Sequence, residues 1–395
     1  MSNTTTSISE QITPSRPANL VITKNSSGEK KASGKSSSRV MQLDVVRGLA
    51  ILLVIDHHAI FLPTDNIIAR VNHFVGSRIG WMGVDLFFVL SGFLVGGLLV
   101  QELTYTGNLQ VSRFLVRRML KIWPAYYFYI AFQIAVRRHP LHSFLWQNLL
   151  NIQNYVGTSL NHTWSLAVEE HFYLLLPLVL LCIYRRHALR AYLQPILIAV
   201  CVAVLCIRIA SFPMLGALRI QWETHTRLDS LLFGVLLSHI LYASRDRFER
   251  LLQRRVILAV LVLTVFVIAL LQDGASTPYM STVGYTVNYL GFAALTLLIY
   301  GYHGSLTHTR LYKAIAWIGT YSYGIYLWHL SVREPLASLA RRLPGSVAWC
   351  FLIVAQYGAA IVLGVLVTKL VEFPALRLRD RLFPRGVAQL PPAIP

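Results

Sequence analysis

Charge is scarce in this chain of 395 residues. Asp, Glu, Lys and Arg make up 13% of it, where a water-soluble domain carries about a quarter. That scarcity argues against an ordinary soluble domain. Acidic side chains are the rarer sign, 17 against 36 basic ones, for a formal charge of +19. The surplus does not point to nucleic acid, because the basic residues fall between long apolar runs, the pattern of membrane orientation. Cysteine is also rare. Cys182, Cys201, Cys206 and Cys350 lie in apolar stretches without metal-ligand spacing and are expected to be small buried packing residues. No Walker-type glycine loop, Gly-x-Ser-x-Gly elbow or His-Glu-x-x-His helix is present, so none of those chemistries is indicated and no metal is expected.

Apolar sequence is abundant: 55% of the residues are hydrophobic, in runs of about 20. The expected fold is all-α, a polytopic transmembrane helical bundle of about ten spans near 43–63, 80–103, 122–136, 164–184, 192–212, 227–243, 256–272, 284–302, 315–333 and 347–371. Residues 1–40, rich in Ser, Thr, Lys and Asn, cannot bury enough apolar surface to order and are expected to form a disordered basic tail. No cleavable signal peptide is evident, and the first apolar run is expected to remain as a span. The membrane domain is expected over 41–383, with a short tail over 384–395. The Gly96-Gly97 pair, inside a span, suits close helix packing.

Basic residues set the expected orientation. Arg113, Arg117, Arg118 and Lys121, then Arg185, Arg186 and Arg190, then Arg245, Arg247, Arg250, Arg254 and Arg255, then Arg310 and Lys313 fall in loops on one side, with Arg377, Arg379, Arg381 and Arg385 in the C-terminal tail. Arg70, Arg78, Arg137, Arg138, Arg219, Arg333, Arg341 and Arg342 fall on the other. With the N-terminal tail the bias is about three to one, which places both termini in the cytosol of a cell-membrane protein.

Within this frame, Arg47 and His58 on the first apolar segment stand out. Eleven positions at about 100° each bring their side chains within about 20° of one face, roughly 16 Å apart along the axis. Asp44 lies near that face, whereas His57 is about 100° off it. Ionisable groups inside a bilayer are costly and normally face a polar interior. Arg47 belongs to the cytosolic end, beside the basic run Ser112–Lys121, and His58 to the outer half. Asp85 begins the second span, Glu169 and Glu170 the fourth, and Arg227 and Asp229 the sixth; His329 is near the outer end of the ninth. One half thus offers cations, the other a histidine with carboxylates.

That asymmetry suits a phosphate-bearing donor on the cytosolic side and an acceptor hydroxyl nearer the outer face. Arginine and lysine bind phosphates, and an imidazole titrates near neutrality and can take a hydroxyl proton. Arg47, Arg113, Arg117 and Arg118 are the candidate donor contacts, though membrane orientation alone would also place cations there. In Trp164-Ser165-Leu166-Ala167-Val168-Glu169-Glu170, Ser165 and Glu169 share a helical face; a serine cap with an acidic first turn is the structural alternative. Asp85 can equally cap the second span, Arg227 can pair with Asp229, and His329 after Trp328 can belong to an aromatic belt.

Together these strings resemble the acyltransferase 3 family of integral membrane acyltransferases, in order from about residue 40 to 383. They are Leu43-Asp44 through Arg47-Gly48 to His58, the Gly83–Phe93 block, Arg117-Arg118 to Pro124, Trp164-Ser165-Leu166 to Glu169-Glu170 and Phe172-Tyr173, Arg227-Leu228-Asp229, Ser322–His329 and Glu372-Phe373-Pro374. The resemblance implies about ten spans, an acyl-CoA donor (acetyl-CoA above all) and O-acylation of a carbohydrate or related hydroxyl compound. It implies an essential arginine–histidine pair at Arg47 and His58. His58 would serve as general base or transient acyl carrier, with Glu169, Asp85 or His329 orienting it or binding the acceptor. Asp56 and His57, where relatives carry apolar or aromatic residues, and His171, where many carry glutamine, depart from the pattern and make His57 a rival base. A multispan transporter or flippase is the alternative class, and a catalytically dead receptor a third.

Overall fold

The computed structural model describes residues 40–61, 66–136, 139–186, 190–272 and 274–384. The tail expected over 1–40, apart from Val40, lies outside the described residues, as do Arg137, Arg138 and Arg385. Among the described residues helix predominates, joined by short turns and loops, and there is no strand.

In chain order the helices are α1 (Met41–His57), α2 (Ile67–Ile79), α3 (Gly83–Ser91), α4 (Gly97–Thr106), α5 (Val111–Val136), the short α6 (Leu145–Leu149) and α7 (Gln153–Val156), and α8 (Trp164–Arg185). Then come α9 (Leu193–Trp222), α10 (Thr224–Ala243), α11 (Arg245–Gln253), α12 (Arg255–Leu271) and α13 (Tyr285–Tyr300). The last are α14 (Arg310–Thr320), α15 (Ser322–Trp328), α16 (Arg333–Ala340), α17 (Gly345–Val367) and α18 (Phe373–Leu382). Among the described residues, five helical stretches are long and apolar enough to cross a membrane: Ile67–Thr106, Asn161–Arg185, Leu193–Trp222, Met280–Tyr300 and Val347–Leu382. A sixth is reached if α11 and α12, bent by 67°, act as one.

The differences from the expected spans are informative. The basic run Ser112–Lys121 is not a loop but the first turns of α5, a helix of 26 residues. A hydropathy window reads its cations as loop, whereas the helix buries Phe114 and Ile122 against protein and keeps the cations half-buried, their stems covered by neighbouring side chains. The ninth span is broken into α14, α15, the 3₁₀ turn His329–Val332 and α16. α2 is an addition, capped by the Asn66 side chain, which accepts from Ile68 N at 2.9 Å and Ala69 N at 3.2 Å.

Close backbone approach holds α1 in the centre. A Cβ on Gly319 of α14 would collide with the Asp44 carbonyl, and one on Gly48 with the Ile315 carbonyl. Gly92 and Gly234 make the same reciprocal fit between the π-helical turn after α3 and α10. Small residues at crossings let membrane helices gain dispersion contacts that side chains would block. Gly96 follows the rule by packing on Val235. The cysteines correct one expectation: Cys201 is buried, but Cys182, Cys206 and Cys350 are exposed on the outer surface. A thiol is apolar enough to face hydrocarbon as readily as protein.

Candidate active site

Helix α1 ends at His57, so His58 is its C-cap residue (φ −93°, ψ 8°) rather than an interior one. Gln356 of α17, itself buried, pins this end. Its Nε2 donates to the His58 carbonyl at 3.1 Å, and its Oε1 accepts from Ile60 N at 3.1 Å. The groups a helix terminus leaves orphaned are thereby satisfied from a neighbouring helix.

The His58 ring is oriented from the other side. Its Nδ1 lies 2.9 Å from the Val54 carbonyl and 3.3 Å from Nε2 of His329. His329 is buried, and its Nδ1 lies 2.6 Å from the Tyr326 carbonyl. A carbonyl only accepts, so neutral His329 carries its proton on Nδ1 and offers a lone pair at Nε2. Nδ1 of His58 then faces two acceptors and must hold the ring proton. The tautomer assigned from this network leaves Nε2 of His58 as a free lone pair. The break after α15 contributes directly, since last-turn carbonyls at Tyr326 and Leu327 are the acceptors involved.

A third imidazole completes the patch. His162 donates from Nε2 to the Leu327 carbonyl at 3.2 Å, with its ring edge-on to His329 at 5.6 Å between centroids. Tyr326 Oη donates to the His162 carbonyl at 2.6 Å and accepts from Ser165 Oγ at 2.5 Å. Ser165 therefore braces the histidines and does not cap α8. His57 is exposed, its ring 4.8 Å from that of His58.

The other end of α1 is cationic. Arg47 bonds Asp44 at 2.7 Å and retains 25% of its side-chain exposure. Arg118 and Lys121, one turn apart on α5, share its surroundings with Arg379 and Glu372. Arg118 lies over the Phe114 and Tyr173 rings, at 5.5 and 5.7 Å. Among the described residues neither Arg118 nor Lys121 has a carboxylate within ion-pairing distance, although both are half-buried. Half-buried cations that outnumber the carboxylates near them and pair with none directly suit a polyanion.

Glu169 belongs to this end rather than to the histidines. It accepts from Tyr173 Oη at 3.0 Å, and Ser91 Oγ lies 2.7 Å from the same hydroxyl. Glu170 accepts from Trp123 Nε1 at 3.2 Å. Both glutamates sit in the second turn of α8, which has no acidic residue in its first turn, so the capping alternative does not hold. Arg117 is engaged by the C-terminal helix, donating to Asp380 at 3.1 Å and to the Phe383 carbonyl, while Arg113 donates to Gln110 at 3.1 Å.

Asp85, Arg227 and Asp229 lie elsewhere. Arg227 pairs with Asp85, which also accepts from Asn288 Nδ2 at 2.9 Å, and stacks on Tyr285 at 3.7 Å. Asp229 pairs with Arg208 of α9 at 2.6 Å rather than with Arg227. Residues two apart on a helix point to opposite faces, so each finds its partner on another helix. Arg208 also donates to the Thr226 carbonyl at 3.0 Å and to Thr286 Oγ1 at 2.8 Å. All four charges are at most 1% exposed, which marks an internal brace between α3, α9, α10 and α13.

Arg208, Lys121, Gln356 and His162 did not figure among the sequence candidates. An arginine between Ile207 and Ile209, and an amide alone in an apolar run, were signals. His162 carries no such signal, because nothing local separates it from a loop histidine.

The family model of the acyltransferase 3 family, an acyltransferase domain, matches residues 41–368. The O-acetyltransferase OatA of Staphylococcus aureus is 27% identical over 278 residues, 64% of this chain and 46% of that protein. The peptidoglycan O-acetyltransferase OatA of Listeria monocytogenes is 27% identical over 334 residues, 77% of this chain and 51% of that protein. The chain thus spans about half the length of these curated relatives. No solved structure matches it. On the span of the family match and the order of its motifs, the chain belongs to the acyltransferase 3 family.

Proposed function

We propose that this protein is a membrane O-acyltransferase, with acetyl-CoA as donor and a hydroxyl of a cell-envelope carbohydrate as acceptor. The observation that carries the reading is the arrangement along α1: a histidine with its Nε2 lone pair free at one end, and near the other the half-buried cations Arg118 and Lys121, neither in an ion pair among the described residues. The named activities of the relatives, peptidoglycan O-acetylation among them, support the acceptor class. The proposed topology has about ten spans, with broken and charged helices such as α1, α5 and α15 among them, and both termini cytosolic. In this topology residues 41–383 are the catalytic domain and 1–40 a basic tail.

The CoA phosphates dock on Arg47, Arg118 and Lys121, with Arg113 and Arg117 at the rim. Glu169 holds Tyr173 beneath Arg118. The thioester reaches roughly 16 Å along α1 to His58. Nε2 of His58 takes the acceptor hydroxyl proton as the oxygen attacks the thioester carbon, and the C–S bond breaks as the tetrahedral intermediate collapses. The proton passes to the departing CoA thiolate. The Nδ1 proton of His58, directed at Val54 O and His329 Nε2, stabilises the imidazolium that forms.

Two expected results test the two ends. Arg118→Ala with Lys121→Ala raises KM for acetyl-CoA about 10–100-fold and leaves kcat within a few-fold, because charge-assisted phosphate contacts bind ground and transition states alike. Initial rates against acetyl-CoA concentration measure this, and an unchanged KM contradicts the docking site. Gln356→Leu frees the end of α1 and slows transfer roughly 10–100-fold through misplacement of the ring. Its thermal midpoint falls only modestly, since two hydrogen bonds are lost at about 1 kcal/mol each. Wild-type turnover in this variant contradicts the pinning role.

A further inference from the structure

Helix α11 carries two acidic side chains, Asp246 and Glu249; among the described residues Glu249 bonds Arg245 at 2.7 Å and Asp246 is in no ion pair. Arg247 and Arg250, three apart, share one face of α11, and Arg254 caps its C-terminal end. All three are exposed, and none has an ion-pair partner among the described residues. They line an open cavity of about 260 Å³, together with Gln194 and Ile240 from α9 and α10, and with Leu251.

The fold puts this cavity beside an exposed apolar helix. Phe248, buried against Tyr300 and Phe93, holds α11 down by its apolar face. The chain then bends by 67° into α12, which bares Val256, Ile257 and Val260 at 78%, 53% and 55% exposure. An amphipathic helix meeting a lipid-facing one at such an angle lies along the interface, where phosphates of the bilayer are found. The positive-inside preference explains arginines at the end of a span. It does not explain three arginines and a glutamine lining one cavity whose wall is mostly apolar.

We propose that this cavity binds the headgroup of an anionic glycerophospholipid. The arginines fork onto the phosphate oxygens, and the Gln194 amide meets the glycerol hydroxyls. Like charges crowded around one cavity repel, and a bound anion relieves that repulsion. A zwitterionic headgroup carries its own cation into three guanidiniums and binds less well. Inorganic phosphate shares the recognition chemistry but gains nothing from the apolar start of α12. The site is separate from the Arg118–Lys121 cluster on α5 and does not depend on the proposed reaction.

The test uses the full chain reconstituted in phosphatidylcholine and titrated with phosphatidylglycerol, followed by native mass spectrometry and thermal unfolding. Phosphatidylglycerol is expected to stay bound and raise the midpoint, while inorganic phosphate does neither. Arg247→Gln/Arg250→Gln/Arg254→Gln weakens retention roughly 100-fold at about a decade for each one to two cations, with its midpoint in phosphatidylcholine alone no lower than that of the wild type. Arg185→Gln/Arg186→Gln, at exposed arginines ending α8, leaves retention intact. Equal retention in the triple variant, equal loss in the Arg185/Arg186 control, or stabilisation by inorganic phosphate matching that by lipid would each overturn the proposal.

Discussion

His58→Ala is expected to lower acyl transfer by roughly 10³-fold or more, while His57→Ala stays within about threefold. The gap follows from bonding, not from position in the sequence. His58 Nδ1 is committed to Val54 O and His329 Nε2, which leaves Nε2 as the basic nitrogen. His57 is exposed beside it. A positioned general base contributes about 10²–10⁴-fold, and the alanine variant loses that along with imidazolium stabilisation. His329→Gln keeps an acceptor oxygen for the Nδ1 proton and should lose less activity than His329→Ala. Initial rates of labelled acetyl transfer in reconstituted protein measure all four variants. A larger loss at His57 than at His58 would reassign the base.

Arg208→Met is the substitution expected to cost most in stability. It leaves Asp229 fully buried without its partner at 2.6 Å, and breaking a buried ion pair from one side costs about 3–5 kcal/mol. Most of that cost is the stranded carboxylate. Arg208→Met combined with Asp229→Leu should therefore be more stable than Arg208→Met alone, although it removes more polar contacts. Thermal unfolding in detergent distinguishes the two. A double variant no more stable than the single one would show that the pair carries no stranded-charge penalty, and that Arg208 acts through Thr226 and Thr286 instead.

Helical periodicity placed Arg47 and His58 on one expected face. Helix α1 is continuous from Met41 to His57, but His58 is its C-cap residue, whose ring is set by Val54 and His329 rather than by the helical phase. Periodicity was not enough for partners supplied by other helices. Glu169 was expected to serve the histidine, yet Tyr173 and Ser91 hold it at the cationic end, near Lys121 and Arg118. Nothing local to α8 distinguishes those destinations. Asp229 beside Arg227 suggested a pair that helix geometry forbids at that spacing. The α5 cations looked like loop because hydropathy counts the charge and not the stem. The break at His329 left no mark in an apolar run, although it frees the carbonyls that orient two imidazoles. Apolar runs likewise gave no sign of which thiols face outward.

The most direct measurement separates donor binding from transfer in the same preparation. CoA binding by calorimetry and single-turnover acetyl transfer are followed for the wild type, His58→Ala and the Arg118→Ala/Lys121→Ala pair. The two-ended site predicts that His58→Ala binds CoA like the wild type but transfers no label. The cation pair, in contrast, binds weakly yet transfers when saturated. Undiminished transfer by His58→Ala, or loss of CoA binding on removing that imidazole alone, would contradict it.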